Sequence, residues 1–581
     1  MNLFANVHGL VLEALASLQC NRDLPEGLDL KNVTVEAPRD SSHGDVSTNA
    51  AMVLAKQAQM QPREIADLLL TQLVNSTQIE NIEVAGPGFL NLTLSKRIWL
   101  EAIPKIVKLK KEFGKSLIGE KKKVNIEFVS ANPTGPIHVG HTRGAVFGDA
   151  LANLLDFAGY NVTREYYIND GGAQIDVLAR SVYLRYLEAN GITVEFLEGT
   201  YPGEYLIPVG ESLKESFGNL FVDADEAEWL PKFRTHAVNS MMELIQSDLL
   251  SLGIEMDIFY SEKSLYGTGR IEAAIDQLGK KGLIYEGYLE PPKGKLPDDW
   301  KPRKQTLFKS SEYGDDVDRP VKKSDGQWTY FAPDIAYHYD KIIRKFDHLI
   351  NIFGADHGGY VKRMKAAVKA LSNDEITLDI KLTQLVRLYK NGEPFKMSKR
   401  AGNFISLRDL VEQVGSDVTR FVMLTRKNDA PLDFDFDKVL EQSRDNPVFY
   451  VQYAYARINS VLKKARVANI DVCDSSLILA DMQGVEHESE LDLIKKVCEW
   501  PRLVELAAKH NEPHRVAFYL YELASEFHTF WSKGKDMPSL RFIHEDNDMR
   551  SLSKLAVARS VAIVISNGLG ILGVQPMDEM R

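Results

Sequence analysis

The stretch from Val124 to Ile168 constrains this chain more than any other. Val124 to Val129 reads as a buried strand, His138 to Phe157 has helical periodicity, and Val162 to Ile168 reads as a second strand. Strand, loop, helix and strand in that order predict a βαβ unit, hence a parallel sheet with helices packed on it. A second block follows later. His348 to Phe353 is strand-like, Gly359 to Leu371 helical, and Leu382 to Lys390 strand-like again, ending at Asn391-Gly392, a hairpin-type turn. Two such blocks predict an α/β, Rossmann-like nucleotide-binding domain.

The chain is much longer than one such domain: 581 residues correspond to roughly four domains at about 150 residues each. Residues 1–112 alternate short β-rich runs (Val33 to Glu36, Phe89 to Leu94) with helical runs (Thr48 to Gln59, Pro62 to Leu73), which predicts a small α+β domain. Residues 113–410 hold the α/β domain, interrupted near 185–325 by inserted helices and polar loops containing Pro291, Pro292, Pro297 and Pro302. Residues 411–440 read as a connecting segment, and 441–581 as an all-α helical bundle. The most apolar stretch, Val561 to Val574, is short and interrupted by Asn567-Gly568, which predicts a bundle helix ending in a left-handed cap and not a membrane span.

Composition narrows the class of partner. With 44% hydrophobic, 26% charged and 9% aromatic residues the chain is ordinary folded protein. Its net charge of -11 excludes a chain-wide basic footprint, so a nucleic-acid partner must use local patches. The run Lys105, Lys108, Lys110, Lys111, Lys115, Lys121, Lys122, Lys123 is one such patch, or equally a solvated helix face and linker. Three scattered cysteines, Cys20, Cys473 and Cys498, suit a reducing compartment. Asn2 to Gln19 reads as an amphipathic helix and not as a secretory signal, since no Lys or Arg precedes Arg22; a cytoplasmic enzyme is the expectation.

The chemistry is concentrated in the turn after the first strand, which holds Pro133, Thr134, Gly135, Pro136, His138, Gly140 and His141. His138 and His141, at i and i+3, lie on one side of a helix start where free backbone N–H groups and the helix dipole already favour phosphate. Both imidazoles can donate to one anion, and Gly140 leaves room for an adenine ring against the backbone. A second cluster, Lys396-Met397-Ser398-Lys399, stands in a loop beside Gly402, where it can close over a triphosphate and neutralise departing pyrophosphate. Gly354, Asp356 and His357 follow a strand at the carboxyl edge of the sheet, where adenosine contacts are expected in an open α/β fold.

These two clusters together resemble the signatures of class I aminoacyl-tRNA synthetases, called HIGH and KMSK, here His138-Val139-Gly140-His141 and Lys396-Met397-Ser398-Lys399. The surrounding sequence is similar to arginyl-tRNA synthetases of the bacterial type: Glu127 to Pro136, Tyr166 to Asp170, Thr329 to His338 and Asn446 to Arg457, with the likeness covering essentially the whole chain. The resemblance implies a two-step reaction. Arginine's carboxylate attacks the α-phosphate of ATP, and a ribose hydroxyl of tRNA(Arg) then takes the arginyl group, with Mg2+ accompanying ATP and tRNA required for activation. It also implies that Glu127 and Asn132 lie near the substrate's amino group and that Tyr330 and Asp334 hold the guanidinium, a planar cation suited to bidentate carboxylates. Tyr450, Tyr453 and Arg457 open the family's anticodon-binding domain; stacking on unpaired bases and ordinary helix packing both fit their spacing. The N-terminal domain contacts the outer corner of the tRNA in that family, whose members are usually monomers. A lysyl or glutamyl enzyme sharing the catalytic core, and a non-catalytic tRNA-binding paralogue, are the competing readings. Glu127 and Asp334 oppose an acidic substrate, and the intact signatures oppose loss of activity.

Overall fold

A computed structural model of the chain describes residues 2–38, 40–289, 303–395, 405–544 and 548–580. Its centre is a five-stranded, all-parallel sheet: β1 (Lys123–Glu127), β2 (Asn161–Ile168), β3 (Ile258–Ser261), β4 (His348–Gly354) and β5 (Thr377–Thr383), ordered β5-β4-β1-β2-β3. Helix α1 (Val139–Phe157) links β1 to β2, α2 (Phe331–Ile343) precedes β4, and α3 (Val361–Ser372) links β4 to β5. The strand order reverses between β4 and β1, so their carboxyl ends open a crevice at a topological switch point. Val124 and Ile126 bury one face of β1, while Asn125 and Glu127 are buried on the other, which α2 covers.

The interval 185–325, expected as inserted helices and loops, also supplies β3 to the main sheet. Around it, Gln174–Ala189, Ile207–Phe217 and Glu226–Ser251 pack on an aromatic core of Tyr186, Trp229 and Phe233, and Ile284–Tyr288, Lys304–Phe308 and Arg319–Lys322 form a small antiparallel sheet. Pro291, Pro292, Pro297 and Pro302 lie outside the described residues. The run Leu382 to Lys390 is not one strand. β5 ends at Thr383, and Val386–Lys390 joins a separate sheet with Glu393–Pro394 and, in parallel, Leu432–Asp435 from the expected connecting segment. The break has a cause: the buried Arg143 guanidinium donates to the carbonyls of Gln384 and Ala430, at 3.0 and 2.7 Å, and turns the chain out of the main sheet. Asn391 and Gly392 form the hairpin turn as expected, both at positive φ (54° and 75°), with Lys390 opposite Glu393.

The N-terminal part is α+β: an antiparallel sheet in the order Val35–Glu36, Val46–Thr48, Phe89–Leu94, Ile79–Ala85, packed on helices that include Leu3–Cys20 and Pro62–Leu73. The lysine run after it is partly paired, Lys110 with Asp474, Lys115 with Glu112 and Lys122 with Glu120. Beyond Asp435 the described residues contain no strand, and α4 (Pro447–Val467), α5 (His514–Asp536) and α6 (Asp548–Leu572) dominate. The expected left-handed cap is present, at Gly573 (φ 69°) after Leu572, but the expected interruption is not: α6 runs through Asn567-Gly568. A Cβ at Gly568 would meet Leu520 Cδ2 at 2.6 Å, so that glycine serves close helix packing, while the Asn567 amide donates to the carbonyls of Lys110 and Phe113, each at 3.0 Å. At 25 residues, α6 is long and apolar enough to cross a membrane, as is Leu3–Cys20, but 78% of its apolar window is buried inside the protein. Arg420 ties the parts together, bonding Asp149 on α1 and the carbonyls of Leu252 and Leu572.

Candidate active site

The crevice is built on an unusual turn. After β1 the chain passes through Val129 and Ser130, both at positive φ (69° and 41°), a conformation costly for a β-branched residue and typical of functional loops. Neighbours hold it. Ser130 Oγ donates to Glu127 at 3.2 Å and accepts the Tyr167 N–H at 3.1 Å, Asn169 donates to the Ser130 carbonyl at 2.9 Å, and Tyr166 donates to the Ala131 carbonyl at 2.8 Å. Pro133 is buried. Thr134, Gly135 and Pro136 are half-exposed, and the Tyr205 hydroxyl donates to the Thr134 carbonyl at 2.8 Å, 2.9 Å from where a Gly135 Cβ would stand.

His138 caps α1, its Nδ1 accepting the Gly140 N–H at 3.1 Å. The His138 and His141 rings stack, centroids 4.0 Å apart and 21° from parallel, so the i, i+3 spacing brings both imidazoles to one side of the helix start. Gly140 has a second use beside the open backbone expected of it: a Cβ there would stand 2.8 Å from His138 Cε1. Lys396, Met397, Ser398 and Lys399 lie outside the described residues. The chain resumes at Ile405 against the histidine turn, where Val139 donates to the Ile405 carbonyl at 3.2 Å, Leu407 donates to the Ile137 carbonyl at 2.7 Å, and His138 bridges Ser406. Across the switch point, Gly354 ends β4, and Asp356 and His357 project at the exposed rim, 3.6 Å apart. A Cβ at Gly354 would stand 2.5 Å from Asp356 Oδ1, so any larger residue there would push the exposed Asp356 carboxylate aside.

Carboxylates gather under α2. Glu127 is buried, with Lys341 donating to its Oε2 at 2.8 Å. Asp334 accepts the Tyr360 hydroxyl at 2.5 Å; burial of the carboxyl, reinforced by Glu127 and Glu262, pushes its pKa up to about 7. Glu262 is pushed up as well, by burial first, and accepts the Tyr266 hydroxyl at 3.0 Å. Tyr330, at the start of α2, is 85% exposed, and Asn132 sits at the rim with its amide 2.8 Å from Gln174. Glu127 and Asp334 therefore share the crevice, while Asn132 and Tyr330 border it. Glu262, Tyr360, Tyr167 and Lys341 were not singled out from the sequence. One signal existed for the lysine: Tyr330, Asp334, Tyr337, Lys341 and Arg344 recur at helical spacing along one face of α2, a polar stripe on an otherwise buried helix.

On α4, Tyr450, Tyr453 and Arg457 are half-buried and engaged with α5. The Arg457 guanidinium lies 4.1 Å over the Tyr453 ring and 5.4 Å from that of Trp531, donates to the Tyr453 hydroxyl at 2.9 Å and stands 3.1 Å from His528 Nδ1. Burial, with Arg457 nearby, pushes the His528 pKa down to about 4. These residues join the two helices and keep one side open.

A parallel sheet with paired histidines at its switch point, backed by a helical C-terminal domain, defines a class I aminoacyl-tRNA synthetase. Three family models match: the arginyl-tRNA synthetase N-terminal domain over residues 5–94, the class I (R) tRNA synthetase catalytic domain over 102–459, and the DALR anticodon-binding domain over 451–580. The chain is 66% identical over 581 residues to the arginine–tRNA ligase of Ruegeria pomeroyi and 62% identical to that of Paracoccus denitrificans, covering all of each. A solved arginyl-type chain from Campylobacter jejuni matches with a TM-score of 0.72 at 34% identity, covering 84% of this chain and 100% of that one. Arginyl-tRNA synthetase from Thermus thermophilus matches with a TM-score of 0.72 over 100% of both chains at 19% identity, a likeness of fold. The chain belongs to the arginyl-tRNA synthetase family.

Proposed function

We propose that the crevice between β4 and β1 divides the work of arginine activation among the residues that line it. The chain catalyses ATP-dependent ligation of L-arginine to tRNA, by way of arginyl-adenylate. In the first step a carboxylate oxygen of arginine attacks the α-phosphorus, the bond to the bridging oxygen breaks, and pyrophosphate leaves. In the second, the terminal ribose hydroxyl of tRNA(Arg) attacks the arginyl carbonyl and AMP leaves. Neither step needs a strong acid or base. Both need alignment and stabilisation of charge on phosphate oxygens.

His138 and His141 donate to those oxygens from the start of α1, where the helix dipole adds to them. Lys396 and Lys399 neutralise the β- and γ-phosphates, with Met397 and Ser398 on the same loop. The turn Pro133 to Pro136, with Gly140, carries the nucleotide from one wall, and Gly354, Asp356 and His357 meet its adenosine from the other. Mg2+ travels with ATP. Among the described residues no group of three His, Cys, Asp or Glu side chains is gathered to hold a metal. Glu127 and Asn132 orient the amino end of arginine. Asp334, Tyr330 and Glu262 take the guanidinium, and Tyr450, Tyr453 and Arg457 offer the open side of their cluster to the anticodon arm. The protein works as a cytoplasmic monomer.

The observation that carries this reading is the pairing of Ile405 and Ser406 with the histidine turn, which returns the chain from the KMSK segment to the HIGH segment. ATP–pyrophosphate exchange with each standard amino acid, with and without tRNA, tests it. Arginine alone is expected to support exchange, and only with tRNA present. Exchange with lysine in its place would defeat the arginine assignment, and silence with tRNA present would defeat catalysis.

A further inference from the structure

The Tyr167 hydroxyl is buried in the crevice and has no hydrogen-bond partner among the described residues. β2 pairs with β1 through Glu165 opposite Glu127, so Tyr167, two residues further on, lies on the same face and one step nearer the carboxyl edge. On its other side β3 pairs through Tyr260 opposite Tyr167 and leads straight into Glu262. The Tyr167 side chain is held firmly. It is 6% exposed, with its ring centroid 4.5 Å from that of Tyr337 and 6.3 Å from that of Tyr260. Its hydroxyl makes no hydrogen bond with any described residue, although Asp334, Glu262 and Glu127 all act on it electrostatically. Buried hydroxyls in native folds are nearly always paired, and those that are not call for an explanation.

We propose that the Tyr167 hydroxyl is a specificity-determining contact for the substrate's guanidinium, its oxygen accepting one N–H while the carboxylates of Asp334 and Glu262 accept others. This rests on the arginine reading of the crevice and deepens it. The order of the sheet fixes the direction of the substrate. Its carboxylate must meet the α-phosphate beside the histidine turn after β1, so the amino group on the same carbon stays near Glu127. The side chain then runs outward over β2 to β3, over Tyr167 and toward Glu262. A guanidinium carries five N–H donors in one plane and needs acceptors from more than one direction. Two carboxylates and a phenol oxygen supply them. The phenol can also donate its own proton to a carboxylate as it accepts, a dual role that no carboxylate has.

The test uses the full-length enzyme with tRNA present and the Tyr167→Phe variant. The arginine KM is expected to rise about tenfold, with kcat and the ATP and tRNA KM values within about twofold of the parent. The inhibition constant of 5-guanidinopentanoate, which lacks the α-amino group, rises by the same factor. The melting midpoint does not fall, because the group removed has no hydrogen-bond partner among the described residues. Tyr260→Phe, on the neighbouring ring, leaves both constants unchanged. If Tyr167→Phe fails to fold, Tyr167→3-fluorotyrosine keeps the shape, weakens the acceptor and raises the same two constants less. An unchanged arginine KM overturns the proposal. So does a raised arginine KM with an unchanged 5-guanidinopentanoate constant, which would assign the hydroxyl to the amino end. Failure of the parent enzyme to use arginine would instead strike the arginine reading itself.

Discussion

Two buried lysine–glutamate pairs, one in the crevice and one in the helical domain, make the same contact and serve different ends. In the helical domain Lys554 pairs with Glu490, whose other oxygen accepts the backbone N–H groups of Glu486 and His487 at 3.0 and 2.9 Å and so caps the helix Glu488–Cys498. Every strong contact of that carboxylate is spent on the fold. In the crevice Lys341 pairs with Glu127, lies 4.3 Å from the Tyr337 ring centroid and 3.4 Å from Asn351 Oδ1. Asn351 in turn donates to His338 Nε2 at 2.9 Å, and His338 Nδ1 donates to the Asp334 carbonyl at 2.8 Å. Burial and Lys341 push the His338 pKa down to about 3, so the ring is neutral and holds this tautomer. The second pair thus belongs to a chain of contacts running from the carboxylate assigned to the amino group to the residue assigned to the guanidinium. Identical ion pairs are told apart by what else their atoms hold.

The largest effects come from breaking these pairs, since removing one partner strands a buried charge. Lys554→Met and Lys341→Met should each cost about 3–5 kcal/mol of stability in chemical denaturation. Only the second should raise the arginine KM. Adding Glu490→Met to the first variant removes the stranded charge and restores part of the stability, the loss of the Glu490 helix cap remaining, together with full activity, whereas adding Glu127→Met to the second restores stability and leaves arginine binding impaired. Parent-like arginine KM in folded Lys341→Met would erase the distinction between the two regions. Next in size is His141→Ala, expected to slow arginine-dependent pyrophosphate exchange by about 10²- to 10³-fold, as the loss of a donor to developing charge does elsewhere. His528→Ala, in the aromatic cluster of the helical domain, should change the tRNA KM and leave exchange at saturating tRNA close to the parent rate. Stopped-flow and steady-state assays on both variants separate the two sites.

The same contrast explains what the sequence disclosed. The first βαβ block, the strand and helix that open the second, the paired histidines and the Asn391-Gly392 turn were legible because each depends on local pattern: strand and helix periodicity, i, i+3 spacing, and residues that accept positive φ. Asn567-Gly568 misled, because glycine inside α6 answers to Leu520 on another helix, a contact that no local pattern records. Leu382 to Lys390 misled in the same way, since Arg143, far away in sequence, turns the chain between its two halves. In the crevice Glu127 was named through the resemblance to the family, but its partner, Lys341, comes from a helix much later in the chain. Glu262 and Tyr360 enter only through the order of the strands and the packing of α2, which sequence spacing does not encode.

A smaller effect separates Asp334 from ordinary helix-start carboxylates. With its pKa near 7 in the free protein, kcat/KM for arginine should rise about tenfold per pH unit below 7 and level off above, reporting the ionised form. Asp334→Asn should flatten the profile and raise the arginine KM more than the ATP KM. Stability moves the other way. The folded pKa lies above the unfolded value, so the neutral carboxyl's contribution is complete below about 4 and is lost as pH rises through 7. Saturating arginine should offset that loss in thermal melts of the parent and not in the Asn variant.

Gly140→Ala gives the smallest expected change and the sharpest division between fold and site. A methyl group there would stand 2.8 Å from His138 Cε1 and 3.0 Å from Nδ1, closer than carbon contacts allow, so the imidazole must move by a few tenths of an ångström. Alanine is favoured over glycine within helices by about 1 kcal/mol, and Gly140 lies in the first turn of α1, so the melting midpoint should hold or rise slightly. The exchange rate should nevertheless fall about three- to tenfold, because displacement of a positioned donor weakens charge stabilisation steeply. A variant that melts higher while reacting more slowly assigns the glycine to the histidine ring; a lower melting midpoint with an unchanged rate would assign it to packing.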